Sequence, residues 1–154
     1  MISSDQFREA MSRYPTGVTV VTAKRDGRVY GITANSFASV SLDPPLVLWS
    51  VGKHGDRGAV FAGAEAFAIC FLTQDQADIA SHCAEHDDLP EGKWSTNAAG
   101  LPVIDEAGVV LTCRQYAVYP GGDHDIIVGE VTDIAVADGK GALGFYKRDY
   151  GRLE

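Results

Sequence analysis

The chain reads as a mainly β protein, an antiparallel barrel with two or three short peripheral helices. Two observations carry that reading. Runs of β-branched and aromatic residues follow one another through tight-turn signals instead of alternating with helices. No Gly-x-Gly-x-x-Gly follows a strand, so the fingerprint of a doubly wound nucleotide-binding sheet is missing. The 154 residues fit one domain spanning 1–154, because a folded chain of about this size buries roughly 68–70% of its unfolded surface.

The elements follow in order. Ser3 and Gln6 have the spacing of a capping box. Phe7, Ala10, Met11 and Tyr14 then fall on one helical face, until Pro15 and Gly17 stop the helix. Residues 18–23 are β-branched and read as a strand. Asp26-Gly27 signals a hairpin into residues 28–33. Residues 37–41 and the apolar strand 46–51 flank the Asp43-Pro44-Pro45 break, and residues 52–63 start polar and become weakly helical. Residues 66–72 read as a buried strand. Thr73 and Gln76 repeat the capping-box spacing and predict a helix from there through about Ala84. Residues 85–100 read as a long acidic loop. Two long strand-like segments, 109–119 and 124–136, flank Pro120-Gly121-Gly122-Asp123. After an Asp138-Gly139 turn come a short run at 142–146 and a basic-aromatic tail at 147–152, for a count of about six or seven strands.

The net charge of −8 argues against a nucleic-acid partner, since attraction to phosphate supplies most non-specific affinity for DNA and RNA. No apolar run approaches the ~20 residues of a membrane-spanning helix, and the first residues lack the basic start and apolar stretch of a signal peptide. The expectation is a cytoplasmic protein without membrane association. Cys70, Cys83 and Cys113 are odd in number and irregularly spaced, which is no disulfide framework. Cys70 and Cys113 sit in apolar runs, as buried free thiols do.

Three segments have residue types suited to a ligand. Gly31-Ile32-Thr33-Ala34-Asn35-Ser36-Phe37, where the chain leaves a strand, combines accessible backbone N–H groups with hydroxyl and amide side chains. That edge suits a flat ring with alternating donors and acceptors such as isoalloxazine, and it equally suits an ordinary Ser- and Asn-rich turn. Ser50-Val51-Gly52-Lys53-His54-Gly55-Asp56-Arg57 puts glycines and three potentially cationic side chains after a buried strand. This is either a phosphate cradle or a solvated loop. Gly121-Gly122-Asp123-His124 offers an imidazole that could orient a nicotinamide or donate a proton, or a hairpin turn with an incidental histidine. In an extended strand Asp123 would face away from His124 and need not pair with it. His82, Cys83, His86, Asp87 and Asp88 include metal ligands, but no second Cys or His cluster completes a tetrahedral site, so no metal is expected.

These pieces, in this order, resemble the short-chain flavin reductases, the small reductase components of two-component flavin monooxygenases. The resemblance is carried by residues 14–22, by the run from Gly31-Ile32-Thr33-Ala34-Asn35-Ser36-Phe37 through Pro44-Pro45-Leu46-Val47, by Gly122-Asp123-His124-Asp125-Ile126 through Gly129-Glu130-Val131, and by the tail from Tyr146 to Leu153. It implies a split β-barrel homodimer (an FMN-binding split barrel) with FMN or FAD near the subunit interface and NADH or NADPH as co-substrate. Thr33, Ala34, Asn35 and Ser36 would line the isoalloxazine. Ser50, Val51, Gly52, Lys53, His54, Gly55 and Arg57 would approach the phosphate, while His124 and Tyr150 would lie on the nicotinamide side. The family's phosphate loop usually carries Ser-x-Thr. Gly55-Asp56-Arg57 stands there in this chain, so phosphate binding would rely on Lys53, His54, Arg57 and backbone amides. The implied activity is NAD(P)H:flavin oxidoreductase, supplying reduced flavin to a partner monooxygenase. The alternatives are a flavoprotein that holds FMN tightly and reduces another acceptor, and a non-catalytic FMN- or haem-binding barrel.

Overall fold

The computed structural model describes residues 1–153. In chain order the elements are α1 (Ser4–Ser12), β1 (Thr16–Gly17), β2 (Thr19–Arg25), β3 (Arg28–Ala34), β4 (Ala38–Leu42), β5 (Pro45–Gly52), α2 (Asp56–Ala62), β6 (Ala66–Phe71), α3 (Ala77–Glu85), β7 (Trp94–Thr96), β8 (Pro102–Ile104), β9 (Val109–Gly121), β10 (His124–Val136), β11 (Ala142–Tyr146) and β12 (Asp149–Leu153). Seven strands form one sheet in the order β3-β2-β6-β9-β10-β5-β4, and every neighbouring pair in it is antiparallel. A three-stranded sheet, β1-β11-β12, and the β7-β8 pair flank it.

The large sheet is curled. One buried cluster unites Val21 of β2, Ala34 of β3, Trp49 of β5, Phe61 of α2, Phe67 of β6, Cys113 of β9 and Ile127 of β10, so β3 at one end of the strand order and β5 next to the other end enclose the same core. The Trp49 indole stands edge-on to the rings of Phe61 and Phe67 at centroid distances of 5.2 and 6.0 Å. That arrangement suits the ring quadrupoles. A second cluster lies outside the barrel wall, where Val20 of β2 and Cys70 of β6 meet Ile79 and Cys83 of α3, Leu89, Ile104 of β8 and Leu143 of β11. Successive side chains of a strand point to opposite faces, so β2 must be apolar on both. Its unbroken β-branched run follows from that.

Several expectations change in detail. The capping box forms at α1: the Gln6 N–H donates to Ser3 Oγ at 3.1 Å and the Ser3 N–H to Gln6 Oε1 at 2.8 Å. The apolar face of that helix, however, buries no residue. The second box forms only in half. The Thr73 N–H donates to Gln76 Oε1 at 3.0 Å, but the Gln76 N–H takes the Thr73 carbonyl, also at 3.0 Å. Thr73 is held in a β-bridge with Ala142, so the helix starts at Ala77 rather than at Thr73. Strands are more numerous than expected because short ones (β1, β4, β7, β8 and β12) are defined by their partners rather than by their own patterns. One of these, β7, falls within the stretch expected to be a loop.

Burial pushes all three cysteine thiols up to about 12. A thiol reagent is therefore expected to leave the folded protein unlabelled and to titrate three groups after denaturation; rapid native labelling would contradict the burial. Gly58 gives a second test. In a helix, Gly→Ala normally gains up to ~1 kcal/mol. Here a Cβ would run into the carbonyl oxygen of Gly52, a backbone atom that cannot move aside cheaply. Gly58→Ala is expected to lower stability by ~1–3 kcal/mol in urea unfolding.

Candidate functional site

Two contacts assemble the site from distant stretches of chain. The Ser50 N–H donates to Ser36 Oγ at 2.9 Å, which ties the β3–β4 connection to β5. On its other side β5 pairs with β10, setting His124 opposite Gly52, and the Lys53 N–H donates to the Asp123 carbonyl at 2.9 Å. The Asn35-Ser36 corner, the Ser50–Lys53 segment and the Gly122–His124 turn thus occupy one end of the barrel. Asn35, Lys53, His54 and His124 are exposed there, while Val51 is buried in the core.

Within the first segment the side chains divide. Ala34 is buried, and the Thr33 hydroxyl donates to the Ala80 carbonyl at 2.6 Å, turning toward α3. Ser36 Oγ is taken up in the tie to β5. The Asn35 amide is left as the exposed polar group of this corner. Gly31 serves packing: a Cβ there would collide with Leu89 and crowd Cys83 Sγ.

At the hairpin, Asp123 and His124 do pair, with Nδ1 and Oδ1 2.8 Å apart, contrary to the extended-strand expectation. The reason is local. Gly122 takes φ +68°, which makes this a tight turn rather than a strand and brings adjacent side chains together. The hydrogen bond and then the charge of His124 hold the Asp123 carboxyl below its usual range, with a smaller contribution from His54. A carboxylate at Nδ1 fixes the imidazole's orientation and leaves Nε2 available.

The cations of the second segment also divide. Arg57 Nη1 donates to the carbonyls of Cys83, His86 and Gly31 at 2.6, 3.1 and 3.2 Å. Its Nε lies 3.0 Å from Asp87 Oδ1. Lys53 has only a distant partner, with Nζ 4.0 Å from Asp125 Oδ1. Gly55 takes φ +89°, a conformation that an L side chain resists. Tyr150 on β12 lies apart from this group. Its ring packs on Phe145 at 5.1 Å, and burial raises its phenol, an effect opposed by the Ser81 hydroxyl and reinforced by Glu85. The helix α3 is its link to the site, because Ser81 follows Ala80, which holds Thr33.

An apolar groove of about 630 Å³ adjoins the Asn35-Ser36 corner, lined among others by Tyr14, Thr16, Phe37, Leu72 and Leu143. Its size falls within the ~300–1,000 Å³ typical of small-molecule sites. Thr16 Oγ1 is buried without a hydrogen-bond partner among the described residues. An apolar slot with an amide at its edge and an unmet hydroxyl in its wall fits a flat ring with a polar rim, and exposed Lys53 and His54 fit an anion. Arg57 does not fit the anion role, because its neighbours already engage it. Pro15 and Gly17 end the first helix, and the place of the Pro15-Thr16-Gly17 stretch in the groove depends on β1 pairing with β11. Among the described residues no group of three or more His, Cys, Asp or Glu converges as metal ligands. Instead His82 meets Asp88 at 3.0 Å and stacks on His86 at 4.7 Å.

Comparison with known proteins agrees with this architecture. The flavin reductase like domain matches residues 11–154. The FMN reductase (NADH) SmoA of Agrobacterium fabrum is 44% identical, over 95% of this chain and 88% of its own length. The reductase component of 4-hydroxyphenylacetate 3-monooxygenase from Thermus thermophilus is 37% identical, over 97% of this chain and 96% of its own. Among solved structures, the NADH:FAD oxidoreductase SgcE6 of Streptomyces globisporus, in complex with NAD and FAD fragments, superposes with a TM-score of 0.91 at 34% identity, covering 100% of this chain and 96% of that one. With a domain match over nearly its whole length and a shared split-barrel fold, the chain belongs to the flavin reductase-like family.

Proposed function

We propose that this chain, acting as one domain, is an NAD(P)H:flavin oxidoreductase that takes FMN or FAD and delivers reduced flavin to a partner monooxygenase. The observation that carries this reading is the convergence of Asn35, Lys53, His54 and the Asp123–His124 pair at one end of the barrel, beside an apolar groove. The relatives' names support NADH as the reductant and, for the Thermus thermophilus protein, service to a monooxygenase.

When bound, a flavin supplies the ring that accepts hydride from the nicotinamide. The chain's own residues do the rest by binding and orienting. The Tyr14–Phe37 groove keeps water from one side of the site, and the Asn35 amide presents a donor and an acceptor to a polar ring edge. Lys53 supplies charge, and His54 a ring N–H, for a phosphate. Asp123 fixes His124 through Nδ1, so that Nε2 can orient an incoming nicotinamide carboxamide. No side chain in this arrangement has to transfer a proton for hydride to move.

A homodimer belongs to the same proposal. α1 buries no residue of its own, and Phe7, Met11, Tyr14, Val40 and Leu42 are exposed. Isolated helices shorter than ~12–15 residues are marginal in water. A second copy covering this apolar face would account for both facts and would wall the groove that Tyr14 lines.

The first test is to mix the protein with NADH and excess FMN and follow the loss of reduced nicotinamide. Multiple turnover is expected, whereas oxidation that requires a further acceptor, or none at all, would support the alternatives. In the same assay His124→Ala is expected to raise the KM for NADH about tenfold, with flavin affinity within about twofold. The assignment fails if that variant loses flavin while keeping normal NADH kinetics. For the dimer, the double substitution Phe7→Glu and Met11→Glu is expected to weaken self-association by ~30-fold or more in sedimentation equilibrium. A dimer of unchanged affinity would place the interface elsewhere.

A further inference from the structure

The Arg57 side chain is only 20% exposed. Its Nη1 reaches three carbonyls, and its Nε pairs with Asp87. Cys83 lies in the last turn of α3 and His86 is its C-cap, so two of those carbonyls belong to a helix end that lacks intrahelical donors. The third, Gly31, belongs to β3, and its own N–H donates to the Asp87 carbonyl at 3.0 Å. One guanidinium therefore joins the start of α2, the end of α3 and the wall of the barrel.

We propose that Arg57 is a positioning residue, a latch that seats α2 and the loop before it, and that anion binding falls to Lys53 and His54. This rests on the flavin reading above. The mechanical route is short. Gly58, next to Arg57, packs so closely on the Gly52 carbonyl that a Cβ there would not fit. Gly52 precedes Lys53, whose N–H holds the Asp123 carbonyl, and Asp123 holds His124. Releasing the latch frees α2 to move and loosens that whole rim. Asp87 also offsets the positive charge of Arg57, whereas Lys53 has no charged partner closer than 4.0 Å among the described residues.

FMN and riboflavin differ only in the phosphate, so the pair separates a ligand from a latch. Lys53→Met is expected to raise the KM for FMN about tenfold and leave riboflavin unchanged. Arg57→Met is expected to raise both KM values by a similar factor, about fivefold, with kcat within about twofold. Arg57→Lys keeps the charge but not the planar fork, so it should resemble Arg57→Met. The latch is overturned if Arg57→Lys restores the wild-type KM for FMN, or if Arg57→Met impairs FMN alone. If the wild-type protein binds neither flavin, the functional reading fails instead, and the latch is then read by hydrogen exchange. Faster exchange at residues 52–55 and 83–89 in both Arg57→Met and Asp87→Asn would sustain it, and unchanged exchange would end it.

Discussion

The β4 strand stops pairing with β5 at Ala38 and Leu48, so beyond that point one edge of β5 has no strand beside it. At Ser50 the gap is met by a side chain, with Ser36 Oγ accepting the backbone N–H at 2.9 Å. An unpaired backbone donor here would cost about what a lost hydrogen bond costs. The tie does more than satisfy it. β3 and β4 are the two ends of the strand order, and the connection between them is stitched to β5 at the point where the barrel closes. The corner bearing Asn35 therefore cannot drift from the strand that leads to Lys53. Because β5 is in register with β10, the same strand also sets where His124 stands.

What the sequence revealed and what it concealed follow a physical division. The two-faced burial of β2 was legible because apolar side chains on both faces leave an unbroken run of valines and threonines. The α1 cap was legible because both partners lie within four residues of each other. The destinations of polar side chains were harder to read. Thr33 sits in a segment that reads as a ligand edge, yet its hydroxyl goes to Ala80, 47 residues away. Arg57 reads as a phosphate ligand because its chain neighbours are glycines and cations, while its actual partners lie 26 to 30 residues further along or back. Hydrogen bonds across such separations leave no periodicity. The Asp123–His124 pair departs from strand alternation for the opposite reason: Asp123 belongs to the turn, and the strand begins only at His124.

Charge placement gives the site a character that composition alone hides. The chain carries 13 Lys and Arg against 21 Asp and Glu, and four of its eight arginines make ion pairs of 3.2 Å or shorter among the described residues. Arg13 and Arg148 share Glu9, whose carboxyl they hold low. Arg114 pairs with Glu130 at 2.6 Å and Arg57 with Asp87 at 3.0 Å. The exposed pairs among these add little stability, but all of them withdraw fixed donors from competition for a ligand. In an acidic surface field, a loosely paired cation at one rim attracts an anion better than one held tightly among carboxylates. Lys53 stands at such a rim with His54 beside it, on a backbone where Gly58 packs closely against Gly52. The proposed latch and the proposed anion site thus share one loop, in which Asp87 offsets the charge of Arg57 so that it can hold the backbone, while Lys53 is left to meet a ligand.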